Sequence, residues 1–235
     1  MNQELMVLTL SALSIGVLHT ALGPDHYLPF IVLSKTRNWS LLKTSLITFV
    51  CGVGHVLSSV VIGLAGVALG LSLMKLEALE AVRGNLAAWA LIGFGFMYFT
   101  WGLHQAIRGK KHTHLHSHEG VEEHSHQHSH TGEHIHPHKH KKRTVTWTLF
   151  IIFVLGPCEP LIPILMCPAA KMNLSSVVFV AGVFALATIA TMMSIVLVAS
   201  CGLNFIPLGR FERYSHAAAG AAICLSGLAI QVLGL

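Results

Sequence analysis

The chain has 235 residues, 53% of them hydrophobic and 11% charged, with a mean hydropathy of +0.66 and a formal net charge of +5. Soluble globular domains carry about twice that share of charge, so the composition excludes one and puts the chain in a bilayer. The basic balance requires no nucleic-acid partner, because cytoplasmic loops facing anionic lipid account for it.

Six apolar runs are long enough to cross about 30 Å of hydrocarbon: residues 5–33, 41–73, 84–107, 145–170, 173–202 and 212–235. The first is expected to stay in the mature protein, since Glu4 stands where a secretion signal has positive charge and no small-residue cleavage site follows Leu22. If the spans alternate, one side receives Lys35, Arg37, Lys43, Arg108, Lys110, Lys111, Lys139, Lys141, Lys142, Arg143, Arg210 and Arg213, and the other only Lys75, Arg83 and Lys171. Twelve cations against three predict that the loop between the third and fourth spans is cytoplasmic and both termini are extracytoplasmic, in a cell inner membrane.

Two of the spans are interrupted in the same way. Gly23-Pro24-Asp25-His26-Tyr27-Leu28-Pro29 in the first answers to Gly156-Pro157-Cys158-Glu159-Pro160-Leu161-Ile162-Pro163 in the fourth. Each opens on Gly-Pro, follows with two groups able to bind a metal or a proton, and reaches another proline within two turns. Proline removes a backbone donor and glycine permits unwinding. The expected fold is therefore an all-α membrane protein of six transmembrane helices, two inverted three-helix repeats with helices 1 and 4 broken. Residues 1–107 form the first repeat, 108–143 a cytoplasmic loop and 144–235 the second repeat. Freed carbonyls in hydrocarbon are tolerated only when they face protein or a water-filled cavity, so the breaks should line a central site.

Ionisable residues inside the spans are few: His19, Asp25, His26, His55, His104, Glu159 and His216. A charge at mid-bilayer costs at least about 2.5–3.5 kcal/mol, which makes such residues functional by default. Asp25 and Glu159 supply one carboxylate from each half. With His26, His55, Cys158 and His19 they make a mixed set of imidazole, carboxylate and thiol that suits nickel, cobalt or zinc. His19 and His26 are two turns apart, about 10.5 Å on an unbroken helix, so only the break can bring them to one ion. His104 and His216, near helix ends, read as interhelical hydrogen-bond partners, and Met166, Met192 and Met193 as core. The five cysteines have no disulfide-framework spacing and, Cys158 apart, read as small buried residues.

The loop is a separate signal. Residues 112–140 hold twelve of the seventeen histidines: His112, His114, His116, His118, His124, His126, His128, His130, His134, His136, His138 and His140. With almost no apolar content, the tract is expected to be disordered until metal binds it.

"HTALGPDH" followed by "GHVLSSVV" resembles the signature of the nickel/cobalt transporter superfamily, in particular its efflux and urease-accessory-like branch. "LGPCEPLIP" and "RFERYSHAAAGAAICLSGL" are similar to that branch too, so the resemblance covers nearly all six spans. It implies metal contacts at Asp25, His26 and His55. The family leaves four residues between its first histidine and the aspartate, whereas Thr20 to Pro24 make five here. "GPCEPLIP" also resembles the transmembrane thiol-electron carriers of cytochrome c maturation, which use one cysteine from each inverted half; the position matching Cys158 is Asp25. Sulfur-oxyanion exporters share the fold, but would need cationic ligands, and the spans as drawn hold no Lys or Arg at their middle.

The expectation is therefore a transporter and not an enzyme. Its cargo is Ni²⁺ or Co²⁺, with Zn²⁺ as a third candidate, and it moves outward, without a tightly bound cofactor. Its partners are lipid, metal ions and, in a homo-oligomer, further copies of the chain.

Overall fold

In the computed structural model the described residues are 3–108, 112–116, 124–128, 142–158, 160–171, 174–204 and 209–233. The helices run α1 Gln3–Leu22, α2 Leu28–Thr36, α3 Leu41–Ala68, α4 Leu73–Ile107, α5 Lys142–Leu155, α6 Leu161–Lys171, α7 Leu174–Asn204 and α8 Ser215–Leu233. One 3₁₀ turn, Pro24–His26, lies between α1 and α2, and another, Gly209–Tyr214, precedes α8. The chain is a multi-pass membrane protein: α1, α3, α4, α7 and the segment Glu212–Val232 are each long and apolar enough to cross a bilayer.

The expected first and fourth spans are each split in two. Span 5–33 becomes α1, the 3₁₀ turn and α2, and span 145–170 becomes α5 and α6 around Gly156–Pro160. Pro24 and Pro157 offer no N–H to the turn before them, and a residue preceding proline is pushed out of the α region; Gly23 accordingly sits at φ −86°, ψ 98°. Pro29 causes no such break because it lies in the first turn of α2, where an N–H has no helical partner anyway.

Helix ends elsewhere are closed by local chemistry. Ser40 caps α3 by accepting the Lys43 N–H at 3.3 Å. Gly70, at φ 65°, ends the same helix in a Schellman motif, with Gly70 N–H on the Val67 carbonyl and Leu71 N–H on that of Gly66. Asn38, at φ 49°, does the same for α2.

Helix α4 starts eleven residues before the expected third span, and its 35 residues reach roughly 52 Å at about 1.5 Å each. The charged stretch from Lys75 to Arg83 is thus part of the helix, and Glu80 is completely buried.

Packing pairs the two halves. Helix α4 lies along α8, α1 on α7, α5 on α3, α2 on α7 and α6 on α3. Exchanging α1/α2 with α5/α6, α3 with α7 and α4 with α8 maps these pairings onto one another. Two apolar cores result. One gathers Phe30, Leu33, Leu91, Leu149, Phe153 and Ile223, and the other Ala12, Val56, Cys158, Leu161, Leu165 and Phe184. Leu18, Leu46, Leu57, Leu86, Phe96, Leu186 and Val198 face outward, as lipid contact requires. In the histidine tract the described backbone consists of two strands, His112–His116 and His124–His128. They pair antiparallel with His112 opposite His128 and His116 opposite His124.

Glycines set the closeness of α4 and α8. A Cβ on Gly95 would fall on the backbone of Cys224, and one on Gly220 on the backbone of Phe99. Backbone approach of this kind is how helices associate in lipid, where hydrophobicity alone gives no attraction. Gly220→Leu should therefore force the pair apart and cost about 2–3 kcal/mol. That corresponds to roughly 5–10 °C of apparent Tm, readable by thermal unfolding in detergent; an unchanged Tm would show that the contact is not close in solution.

Candidate metal centre

Three histidines from three segments meet at the first break. His19 lies in the last turn of α1, His26 in the 3₁₀ turn and His55 in the middle of α3. Their ligand nitrogens lie within 4.8 Å of one another. The His19 and His26 rings are 4.8 Å apart, and those of His26 and His55 5.1 Å, both edge to face. On a continuous helix two turns would separate His19 from His26; the Gly23–Pro24 break folds that distance away. Three nitrogens around one ion at about 2.1 Å stand at most roughly 4.2 Å apart, so a small rotation of the rings closes them on a common centre.

The ring hydrogen bonds decide which nitrogens are available. His26 Nδ1–H donates to Asp25 Oδ1 at 3.1 Å and to the Gly23 carbonyl at 3.2 Å. His55 Nδ1–H donates to the Phe153 carbonyl at 3.2 Å, at the end of α5. With Nδ1 occupied as a donor, the Nε2 lone pair of each ring is left for a ligand. The Nε2 atoms of His19, His26 and His55 are all buried and have no hydrogen-bond partner. Three buried nitrogens without partners in one place is an unfavourable arrangement unless a cation joins them. Glycine makes room for this arrangement at both breaks. A Cβ on Gly23 would lie 2.9 Å from Asp25 Oδ1, and one on Gly156 would lie 3.2 Å from His55 Nδ1.

These rings line a cavity of about 410 Å³ between the two breaks, α4 and the end of α8. Asp25 reaches it, and so do Gly156, Pro157 and Pro160 from the second break. Asn85 and Gln231 also line it. Sequence reading passed over both, because an amide in an apolar run has no spacing that marks it.

The other expected site residues are placed differently. Asp25 acts on His26 Nδ1 and is not one of the three converging groups. Cys158 is fully buried in the second core, and the converging group contains no thiol. Its backbone N–H donates to Ser59 Oγ and Glu80 Oε2, each at 3.2 Å. Glu159 lies outside the described residues, as do His118, His130, His134, His136, His138 and His140 of the tract; for His112, His114, His116, His124, His126 and His128 only the backbone pairing is described. His216 accepts from or donates to Tyr98 Oη through Nδ1 at 2.9 Å, in keeping with an interhelical role.

One polar cluster was missed. Glu80 and Arg83, an i, i+3 pair on α4, form an ion pair beside the second break. Arg83 Nη2 donates to the Val154 carbonyl at 2.9 Å, the Gly156 carbonyl at 3.3 Å and Ser58 Oγ at 2.8 Å, while Ser59 Oγ donates to Glu80 Oε2 at 3.1 Å. A cation therefore does lie inside the bundle, contrary to the expectation, but its charge is matched by Glu80. The charged run that the expected spans left between 73 and 84 is neutralised at Glu80–Arg83 and can enter the protein.

Two measurements test the site. Replacing any one of His19, His26 and His55 by alanine should lower Co²⁺ affinity at least 100-fold in calorimetry, with the folded protein still recovered. Asp25→Asn, which keeps the shape but loses the charge on His26, should lower it about 10–100-fold. Equal affinities in all four variants would show that these rings hold no ion.

No curated protein and no solved structure matches the chain significantly. A family model does, over residues 27–234, described as the cytochrome c biogenesis protein transmembrane region; the match gives no support to the nickel/cobalt branch that the motifs resemble. With that match extending over most of its length, the chain belongs to the family of the cytochrome c biogenesis protein transmembrane region.

Proposed function

We propose that the chain is a membrane transporter of divalent transition-metal ions, nickel or cobalt first and zinc third. The observation that carries this reading is the convergence of three unpartnered Nε2 atoms, from His19, His26 and His55, on one cavity at the helix breaks. Neutral imidazoles are strong ligands for these ions and poor ones for magnesium or calcium. The exchange symmetry of the packing supports two inverted three-helix repeats, the architecture in which alternating access rocks one half against the other around a fixed central site. The direction is outward, because a cytoplasmic tract of twelve histidines gathers ions before translocation. Proton exchange or a partner protein supplies the energy, and titrating histidines and carboxylates along the path provide the means.

A second reading has a specific observation in its favour. The family match points to transmembrane thiol-electron transfer rather than to metal, and Cys158 stands at the second break. Such chemistry needs two thiols whose Cα atoms approach within about 7 Å. The matching position of the first half is Asp25, and Cys51, on α3, packs in the other core from Cys158. A sulfur-oxyanion exporter is disfavoured, since Arg83 is already paired with Glu80.

Cells producing the chain should hold less nickel or cobalt under metal stress than cells without it. Asp25→Ala and His26→Ala, inserted to the same level, should abolish that difference. Unchanged resistance in both variants would overturn metal transport. The electron-carrier reading instead requires a Cys158-containing disulfide, seen as protection from alkylation by mass, and loss of function in Cys158→Ser.

A further inference from the structure

We propose that Arg83, held by Glu80, is a positioning residue for the metal site, aiming the His55 imidazole by fixing the end of α5 against α3; this rests on the metal reading above. The chain makes the need for it. Three carbonyls lose their helical donors at the second break. The partner of Phe153 would be Pro157 and that of Gly156 would be Pro160, neither with an N–H, while the partner of Val154 would be Cys158, whose N–H is taken by Ser59 and Glu80. Phe153 O keeps only a 3₁₀-type bond from the Gly156 N–H at 3.1 Å and receives His55 Nδ1–H besides, and Val154 O and Gly156 O receive Arg83 Nη2–H.

Arg83 also holds the other side of the same contact. It donates to Ser58 Oγ at 2.8 Å and Ser59 Oγ at 3.3 Å, on the turn of α3 that follows His55, and Ser58 Oγ in turn donates to the His55 carbonyl at 2.8 Å. His55 is therefore tied at its backbone through Ser58, which Arg83 bonds directly, and at its ring to the Phe153 carbonyl, whose neighbour Val154 the same guanidinium holds. The ring lies close to the second break, where a Cβ on Gly156 would come within 3.2 Å of His55 Nδ1. Only a planar fork can serve two carbonyls, two hydroxyls and a carboxylate together; an ammonium cannot. The pair also has to be buried as a pair, because removal of either charge leaves the other unpaired in a low dielectric.

The test uses the purified full-length protein with Co²⁺ as the probe, read by its visible absorption bands and by titration. A His19→Ala/His26→Ala/His55→Ala variant is subtracted to remove binding by the histidine tract. Arg83→Lys, which retains a positive charge beside Glu80 and so protects folding, should weaken Co²⁺ about 10–100-fold and change the shape of the bands; Arg83→Met should do so more strongly. In a His55→Ala background both substitutions should change affinity by less than about twofold, because the ring they aim is gone. Full affinity in Arg83→Lys and Arg83→Met, or the same loss with and without His55, overturns the inference and leaves Arg83 as a packing element. No difference between wild type and the triple-histidine variant overturns the metal reading itself, and the inference with it.

Discussion

A backbone carbonyl inside a bilayer must find a donor, and the two Gly-Pro breaks release several at once. Each unpaired group in hydrocarbon costs several kcal/mol, so the sequence around each break is constrained to supply donors at fixed places. At the first break the chain uses what is near: Gly23 O takes the N–H and the Nδ1–H of His26, and Tyr27 Oη reaches the Ala21 carbonyl at 3.4 Å. The second break has only Cys158 and Pro160 within its described turn, neither with a side chain that donates well. Donors come instead from α3 and α4, as His55 and Arg83, while Ser59 and Glu80 accept the Cys158 N–H.

That debt of donors has a chemical consequence. A histidine that satisfies a carbonyl with Nδ1–H has its tautomer fixed and its Nε2 lone pair turned the other way. His26 and His55 both do this, one at each break, and both lone pairs point into the same cavity. Repairing the helix and building a ligand set are thus one act: the groups that make the interruption tolerable in lipid also present the nitrogens. His19 joins because the first break shortens its path to His26.

Much of this was legible in the sequence. The interrupted first and fourth spans follow from Gly-Pro chemistry, and the rarity of ionisable residues in apolar runs singled out Asp25, His26 and His55, whereas the structure brings His19 to His26 and His55 and sets Asp25 on His26 Nδ1. The five-residue spacing between His19 and Asp25 gave no obstacle, since Asp25 bonds to His26 Nδ1 and need not share a centre with His19. What failed was the start of the third span. The expected span began at residue 84 and left Lys75 to Arg83 outside it, because hydropathy adds charges residue by residue and takes no account of an i, i+3 pair that cancels. Asn85 and Gln231 escaped for a related reason: an uncharged amide changes mean hydropathy too little to stand out, and only the meeting of α4 and α8 shows that both face the cavity. Cys158 was read by its thiol, and its backbone N–H, which bonds Ser59 and Glu80, was not foreseen.

The family to which the chain belongs is described by cytochrome c biogenesis, and the residues that follow its two Gly-Pro pairs differ in chemistry, Asp25 after the first and Cys158 after the second. Here one position is Asp25, and its carboxylate is already engaged with an imidazole. Cys158 is left with an apolar neighbourhood of Leu161, Leu165 and Phe184. Its backbone N–H bonds Ser59 Oγ and Glu80 Oε2, and the guanidinium beside them is held by Glu80 and four further acceptors. On the metal reading proposed above, the carboxylate at one break and His55 from α3 put nitrogen rather than sulfur at the centre, while the broken helices would serve either chemistry.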